Sequence, residues 1–473
     1  VNDQTAVAAL RELLGEQAVL TEPSAVEPFL TDHRKLYQGR ALAVVVPRSV
    51  EDVSRLLAWC NERRVGVVPH GGNTSYCGGA TPDESGRQIV LSLRRLNRIR
   101  SVDPLNFSMI AEAGCILADV QRAAEQADRF FPLSLGSEGT CQIGGNLSTN
   151  AGGTNVLRYG MMRDLVLGLE VVLADGRVLS TLTALRKDNT GYDIKSLFLG
   201  AEGTLGVITA ASLKLFPPVR ASATAFAAVR DVRAAVSLLG AMRTESGDCV
   251  SSFELIPRIG IELTTRHIPG VLDPLDQPYA WYVLCELTSS RSGARLDELL
   301  ERALTDAAER GEVLDAAVAQ NERERESFWK LRETIPEAQR LDGGSLKHDI
   351  SVPVAALPDF VERASAWVQT NVPEGRLVAY GHVGDGNLHF NLNQAPGVSR
   401  EAFMAREADV RRVIHDMVRT FGGSFSAEHG IGRLKVEELE RYADPAELAL
   451  MRSVKSALDP NGILNPGKVL RTL

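Results

Sequence analysis

Two short glycine-marked segments of this sequence carry the side chains best suited to hold a metal. In Tyr380-Gly381-His382-Val383-Gly384-Asp385-Gly386-Asn387-Leu388-His389-Phe390-Asn391, the glycines permit a sharp turn able to bring both imidazoles onto one cation. Strand alternation then points His389 and Asn391 to one face. Ser426-Ala427-Glu428-His429-Gly430-Ile431-Gly432 adds a carboxylate and another imidazole. Two histidines and one carboxylate with an open fourth position describe a catalytic metal site, because closed structural sites use four ligands, usually including cysteine. Zinc is favoured for that set, and manganese, cobalt or iron tolerate the same ligands. A lone histidine is ordinarily a hydrogen-bonded, partly buried side chain. Here four of the eight histidines, at 348, 382, 389 and 429, fall near short polar stretches, and that grouping asks for an explanation. Between Trp329 and Pro353, Arg332 and Lys347 would suit a dicarboxylate if they entered one pocket, since arginine offers a fork of donors and lysine a compact charge. As isolated residues they read as solvated surface charges.

The first half of the chain carries a different chemistry. Strand-like Val65 to Val68 runs into Pro69-His70-Gly71-Gly72-Asn73-Thr74-Ser75-Tyr76-Cys77-Gly78-Gly79, and a second glycine-rich stretch lies between Gly136 and Gly153. Two such loops suggest a ligand with a diphosphate, because bare backbone N–H groups at tight turns bind anions at close range. Neither loop has the Gly-x-Gly-x-x-Gly spacing of a nicotinamide fold or the Lys-Ser/Thr ending of an ATP loop. A dinucleotide other than NAD is the natural candidate.

The elements that must position these groups follow from periodicity. Leu42 to Val46 reads as a strand, Ser49 and Asp52 as a capping box, and Val53, Leu56, Leu57 and Cys60 as one helical face. Strand Ile89 to Leu93, a helix through Leu117, Val120 and Ala124, and a hairpin at Asp175-Gly176 complete a region ended by Pro217-Pro218. Residues 219–423 alternate strands such as Tyr282 to Cys285 with helices such as Leu296 to Leu304, and 424–473 read as a turn followed by helical segments. At 473 residues the chain exceeds one ordinary core. The expected domains are therefore 1–218, 219–423 and 424–473, in an α+β fold.

Composition narrows the class. With 44% apolar and 24% charged residues and no apolar run near 20 residues, the chain reads as globular, without a transmembrane segment or signal peptide, and is expected in the cytoplasm. A net charge of −8 without a basic tail argues against nucleic acid. Six scattered cysteines without a Cys-x-x-Cys pair suggest buried thiols, not a disulfide framework.

Five segments carry a resemblance: Pro69 to Thr74, Pro132-Leu133-Ser134-Leu135-Gly136-Ser137, Ile143-Gly144-Gly145-Asn146, Asn150-Ala151-Gly152-Gly153, and Glu202-Gly203-Thr204-Leu205-Gly206-Val207-Ile208-Thr209. In order and composition they resemble the FAD-binding domain of the vanillyl-alcohol oxidase (p-cresol methylhydroxylase) superfamily. The likeness spans nearly the whole chain after about residue 40 and is closest to the D-2-hydroxyglutarate and D-lactate dehydrogenase branch. Arg186 to Asp193 is similar to a stretch of D-2-hydroxyglutarate dehydrogenases.

The resemblance implies a two-subdomain FAD-binding domain, an α+β substrate cap and a C-terminal segment packing back near the flavin. It assigns FAD to Pro69, Gly71, Gly72, Asn73, Thr74, Ser75, Gly78, Pro132, Leu135, Gly136, Ser137, Gly144, Gly145, Asn146, Asn150, Gly152, Gly153, Gly203, Gly206 and Ile208. It implies His382, His389 and Glu428 as ligands of a divalent metal, His429 as base, and Arg332, Lys347 and Asn391 as contacts to the substrate. Many members link flavin to a histidine after the first Gly-Gly; Asn73 stands there, so FAD is expected to be held non-covalently. Animal relatives carry a threonine four residues after the arginine, where this chain has Pro336, which leaves D-2-hydroxyglutarate, D-malate and D-lactate all open as substrates. The expected reaction is metal-assisted loss of the hydroxyl proton to His429 with hydride transfer to flavin N5. An electron-transfer flavoprotein or quinone is the expected acceptor, and a homodimer is compatible with the sequence. The rivals are an oxygen-using oxidase of the same superfamily and a flavin- or metal-binding protein without activity.

Overall fold

A computed structural model describes residues 3–471. The chain divides into two compact units: one of Val1–Gly153, Gly160–Pro218 and Glu428–Leu473, the other of Thr154–Tyr159 and Val219–Ala427.

In the first unit, strand Ala43–Val45 is followed by helix Val50–Arg63. Ser49 caps that helix by accepting from Asp52 N at 3.2 Å, while the Asp52 carboxylate accepts from Arg48 N at 3.0 Å, so the box closes one residue upstream of the expected partner. Arg64 ends the helix in the left-handed region (φ 55°), and Val65 N returns to Cys60 O at 2.9 Å. Val65 therefore belongs to the cap, and the following strand is Val67–His70, two residues later than its apolar run suggested. Val67–His70 and Ala43–Val45 both pair in parallel with Ile89–Ser92, and Val19–Leu20 adds an antiparallel edge. Leu10, Leu56, Leu57, Leu91 and Leu464 fill the core beneath. A second, antiparallel sheet runs in the order Ile99–Asp103, Ser108–Glu112, Val207–Lys214, Val166–Val172, Val178–Ser180. Its last pair is the Asp175-Gly176 hairpin, with Val172 opposite Val178 and Gly176 at φ 88°. These are the two expected subdomains.

The second unit centres on an antiparallel sheet in the order Val250–Pro257, Trp281–Ser289, Ala221–Val229, Val313–Val318. Period-two alternation sorts its side chains. Ala225, Ala227, Phe253 and Leu255 face helices Val232–Ser246 and Leu296–Glu309. Phe226, Ala228, Ile256 and Tyr282 face helices Arg258–His267, Glu322–Glu333 and Ile335–Asp342. Each aliphatic side chain so enclosed contributes roughly 1.5 to 3 kcal/mol. Strand Asn387–Gln394 pairs with Gly375–Tyr380 on one side and with the short strands Ser345–Leu346 and Asp349–Ser351 on the other.

Two boundaries differ from expectation. The return to the first unit falls at Glu428, not 424, because Ser424 exchanges two backbone hydrogen bonds with Ser351 (2.9 and 2.8 Å) and Ala427 N donates to Asp349 O (3.3 Å). Thr154–Tyr159 crosses to the second unit, where Thr154 O accepts from Ser252 Oγ at 2.9 Å. All six cysteines are free thiols, and among the described residues no helix is long and apolar enough to cross a membrane.

Candidate active site

The glycine-marked segments of the first unit converge because several of their residues leave no room for a side chain. A Cβ on Gly72 would lie 2.3 Å from Thr140 O, and one on Gly203, at φ 72°, would lie 2.9 Å from Pro69 Cγ. Only glycine allows the first loop to meet both the second loop and the Glu202–Gly206 turn. A Cβ on Gly71 would meet the backbone of Gly145 at 3.7 Å, while Gly136 and Gly145 themselves face open space. His70, just before the glycines, is buried edge-on to Phe29 at 4.9 Å; burial lowers its pKa to about 4, so it is neutral at physiological pH.

Some polar residues of these loops serve the loops themselves. Asn73, left-handed at φ 54°, donates to Thr31 O at 2.8 Å. Asn150 accepts from Arg163 N at 2.8 Å, and Asn146 is buried with its amide on Cys141 Sγ at 3.7 Å. Ser75 Oγ accepts from Cys77 N at 3.5 Å, and Ile208 is buried in its strand.

The Glu428–Gly432 segment is laid onto these same loops. Glu428 Oε1 accepts from Gly153 N at 3.2 Å, and the His429 ring lies 4.6 Å from that of Tyr76. Ile431 N and Gly432 N both donate to the Glu202 carboxylate at 2.7 Å. Burial raises the Glu202 pKa and these two N–H groups oppose it. Asn465 ties the arrangement together by donating to Gly79 O at 2.9 Å and Glu202 O at 2.8 Å. His429 therefore stands among the segments assigned to flavin.

The second unit gathers His382, His389, Arg332 and Asn391. Leu255 and Gly381 exchange backbone hydrogen bonds of 2.9 and 3.1 Å, and Gly384 N donates to Phe253 O at 3.2 Å, so the His382 turn is fixed along strand Val250–Pro257. Between these anchors is Glu254, with no solvent exposure. Its Oε1 accepts from His382 Nδ1 at 2.6 Å, and its Oε2 accepts from Arg332 Nε at 2.7 Å. Burial, the largest influence, raises the Glu254 pKa, but Arg332 and His382 outweigh it and hold the carboxyl well below the usual range. The Arg332 guanidinium also stacks over Tyr380, 4.9 Å from the ring centre. The rings of His382 and His389 are 5.8 Å apart, and Asp349 Oδ1 lies 3.9 Å from His389 Nδ1.

Asn391 shares the face of His389, as alternation requires, but lies in a buried amide network. It donates to Gln339 Oε1 at 3.1 Å and accepts from His348 N at 3.0 Å. A side-chain amide has two N–H donors, so this leaves one for another partner. Lys347 occupies the half-buried break between the short strands ending at Leu346 and starting at Asp349. His348 gives its Nδ1 to Phe390 O at 2.7 Å and belongs to the scaffold. Pro336 stands in the first turn of helix Ile335–Asp342, where its missing N–H costs nothing.

Glu254 escaped motif reading, and Glu202, although it opens one of the motifs, was assigned no role. Glu254 had one signal: a carboxylate in the middle of an otherwise uncharged strand, Val250–Pro257, must find a cationic partner.

The loops and cap define a flavin-binding oxidoreductase of two-domain architecture. Residues 41–182 match the FAD binding domain model, and residues 219–469 match the model of FAD linked oxidases, C-terminal domain. The chain is 39% identical to a protein of Oryza sativa subsp. indica named probable D-2-hydroxyglutarate dehydrogenase, mitochondrial, over 98% of this chain and 81% of that one. It is 40% identical to the mitochondrial D-2-hydroxyglutarate dehydrogenase of Bos taurus over 96% and 81%. Substrate-bound p-cresol methylhydroxylase shares the fold at TM-score 0.75 and 17% identity, with 99% of this chain and 97% of that one covered. The chain belongs to the FAD-linked oxidase family and is an FAD-dependent dehydrogenase.

Proposed function

We propose that this enzyme oxidises D-2-hydroxyglutarate, a CH–OH substrate, to its 2-keto acid. One observation supports this beyond the names of its relatives: a buried guanidinium and a histidine of the candidate metal set share a single carboxylate. When bound, FAD would supply the acceptor for the hydride of C2, and a divalent cation, zinc by preference, would supply a Lewis acid at the hydroxyl. His382, His389 and Glu428 are the residues that would hold the cation. Donor chemistry fits: with Nδ1–H given to Glu254, His382 keeps Nε2 as its ligand atom, the usual arrangement of a metal-bound histidine. The rings of His382 and His389, 5.8 Å apart, are near enough for both to face one cation. His429 takes the proton from the C2 hydroxyl oxygen, and Arg332 and Lys347 hold the carboxylate remote from it. The electrons then leave to an electron-transfer flavoprotein or a quinone.

A dye-coupled assay on the D and L forms of lactate, malate and 2-hydroxyglutarate tests this reading, with D-2-hydroxyglutarate expected to give the highest kcat/KM. Arg332→Ala is a poor probe of the remote contact, because it strands the buried Glu254. Lys347→Ala is cleaner and is expected to cost ~1.5 to 3 kcal/mol on the dicarboxylate and much less on D-lactate. Equal losses on both substrates would move Lys347 to the C1 carboxylate.

Flavin is held without a covalent bond in this reading, since an asparagine amide cannot form the histidyl link and Asn73 is turned to Thr31. Acid or heat is expected to release all of the FAD into the supernatant. Flavin left on the precipitated polypeptide would contradict it.

A further inference from the structure

Three side chains from distant parts of the second unit meet at Glu254. The carboxylate is on the strand Val250–Pro257, His382 is on a turn bound to that strand by backbone, and Arg332 is in the last turn of helix Glu322–Glu333. The two oxygens are divided between two partners: Oε1 to His382 at 2.6 Å, and Oε2 to Arg332 through both Nε and an Nη nitrogen at 2.7 Å. Arg332 is 6% exposed and lies on the Tyr380 ring, one residue before Gly381, which the strand holds. A long, rotatable arginine is thus restrained on one edge by the carboxylate and on one face by an aromatic ring. Its planar fork therefore has a set direction.

We propose that Glu254 is a positioning and specificity residue that couples the cation site to the remote-carboxylate anchor, fixing the distance a substrate must span. This rests on the function proposed above, in which His382 binds the cation and Arg332 the second carboxylate. The rigid link selects dicarboxylic over monocarboxylic 2-hydroxy acids, because only a dicarboxylate reaches both ends of a gauge whose length is set by one side chain. It also makes the two ends dependent on each other. Loosening Arg332 loosens the hydrogen bond that orients His382, and the reverse holds.

The experiment uses the FAD-loaded enzyme and two variants, Glu254→Gln and Arg332→Met. Gln keeps the shape of Glu but presents one acceptor and one donor, so it satisfies only one of the two partners. Two readouts are taken on each protein: metal retained per FAD after a timed chelator challenge, measured by elemental analysis, and the ratio of kcat/KM for D-2-hydroxyglutarate over D-lactate with zinc in excess. Glu254→Gln is expected to weaken metal retention 10- to 100-fold, the usual effect of losing such a ligand support, and to lower the ratio at least tenfold. Arg332→Met, which removes no candidate ligand, is expected to speed metal loss as well. That result carries the test if Glu254→Gln fails to fold. Metal retention unchanged in Arg332→Met, or a shift of only one readout in Glu254→Gln, overturns the coupling while leaving the proposed reaction intact. A wild-type enzyme that holds no cation, or oxidises none of the hydroxy acids, overturns the proposed function and this inference with it.

Discussion

His429→Asn enzyme is expected to reduce its flavin ~10² to 10⁴ times more slowly than wild type on mixing with substrate, the usual contribution of a positioned proton acceptor. FAD content should be unchanged. The backbone beside His429 is held by the Glu202 carboxylate through Ile431 N and Gly432 N, and the substitution keeps both of these bonds. Substrate affinity should change far less than the rate. Stopped-flow measurement of flavin bleaching under anaerobic conditions separates the two. Loss of the metal from the variant, with near-normal bleaching after zinc is resupplied, would make His429 a ligand or a ligand's support and leave the base to another residue.

Removing the proposed cation is expected to be nearly as damaging. Dialysis against a strong chelator should leave the protein yellow, because the proposed metal ligands, His382, His389 and Glu428, are not among the residues assigned to flavin. Activity should fall by on the order of 10² to 10³, the loss of several kcal/mol of charge stabilisation at the reacting oxygen. Zinc should restore it. Full activity in a preparation shown by elemental analysis to be metal-free would reduce His382 and His389 to structural residues, and the polarising group would have to be sought among the cations.

What the sequence revealed and what it hid divide along a physical line. Val53, Leu56, Leu57 and Cys60 announced a helix because their spacing is local, and the Asp175-Gly176 hairpin was legible for the same reason. The glycine-rich loops were legible because a position where a Cβ would lie only 2.3 Å from a neighbouring backbone oxygen, as at Gly72, must be glycine. Glu254 was not. Its meaning depends on Arg332 and His382, 78 and 128 residues away, and nothing beside it in the chain records that pairing. Asn391 shows the complementary limit: alternation placed it correctly beside His389, but its bonds to Gln339 and His348 N depend on tertiary packing. Thr154–Tyr159 crosses between units in too few residues to carry a periodic signal. The strand at Val67 began two residues late because the left-handed turn at Arg64 drew Val65 into the helix cap, an outcome local apolarity does not encode.

The three-segment construction of the first unit also governs when the protein becomes a flavoprotein during its synthesis. The ribosome delivers residues up to Pro218 first, yet the unit is finished only by Glu428–Leu473. Leu464 bridges to Val67 in the strand leading into the first flavin loop, and Asn465 donates to both Gly79 O and Glu202 O. The intervening Val219–Ala427 stretch has its own sheet and core, so it has the means to condense while the remainder is still being translated. A nascent chain stopped before Glu428 lacks the stitches that close its nucleotide cradle and should emerge colourless. Flavin capture in this sense waits for Glu428–Leu473, a later segment that completes an earlier one.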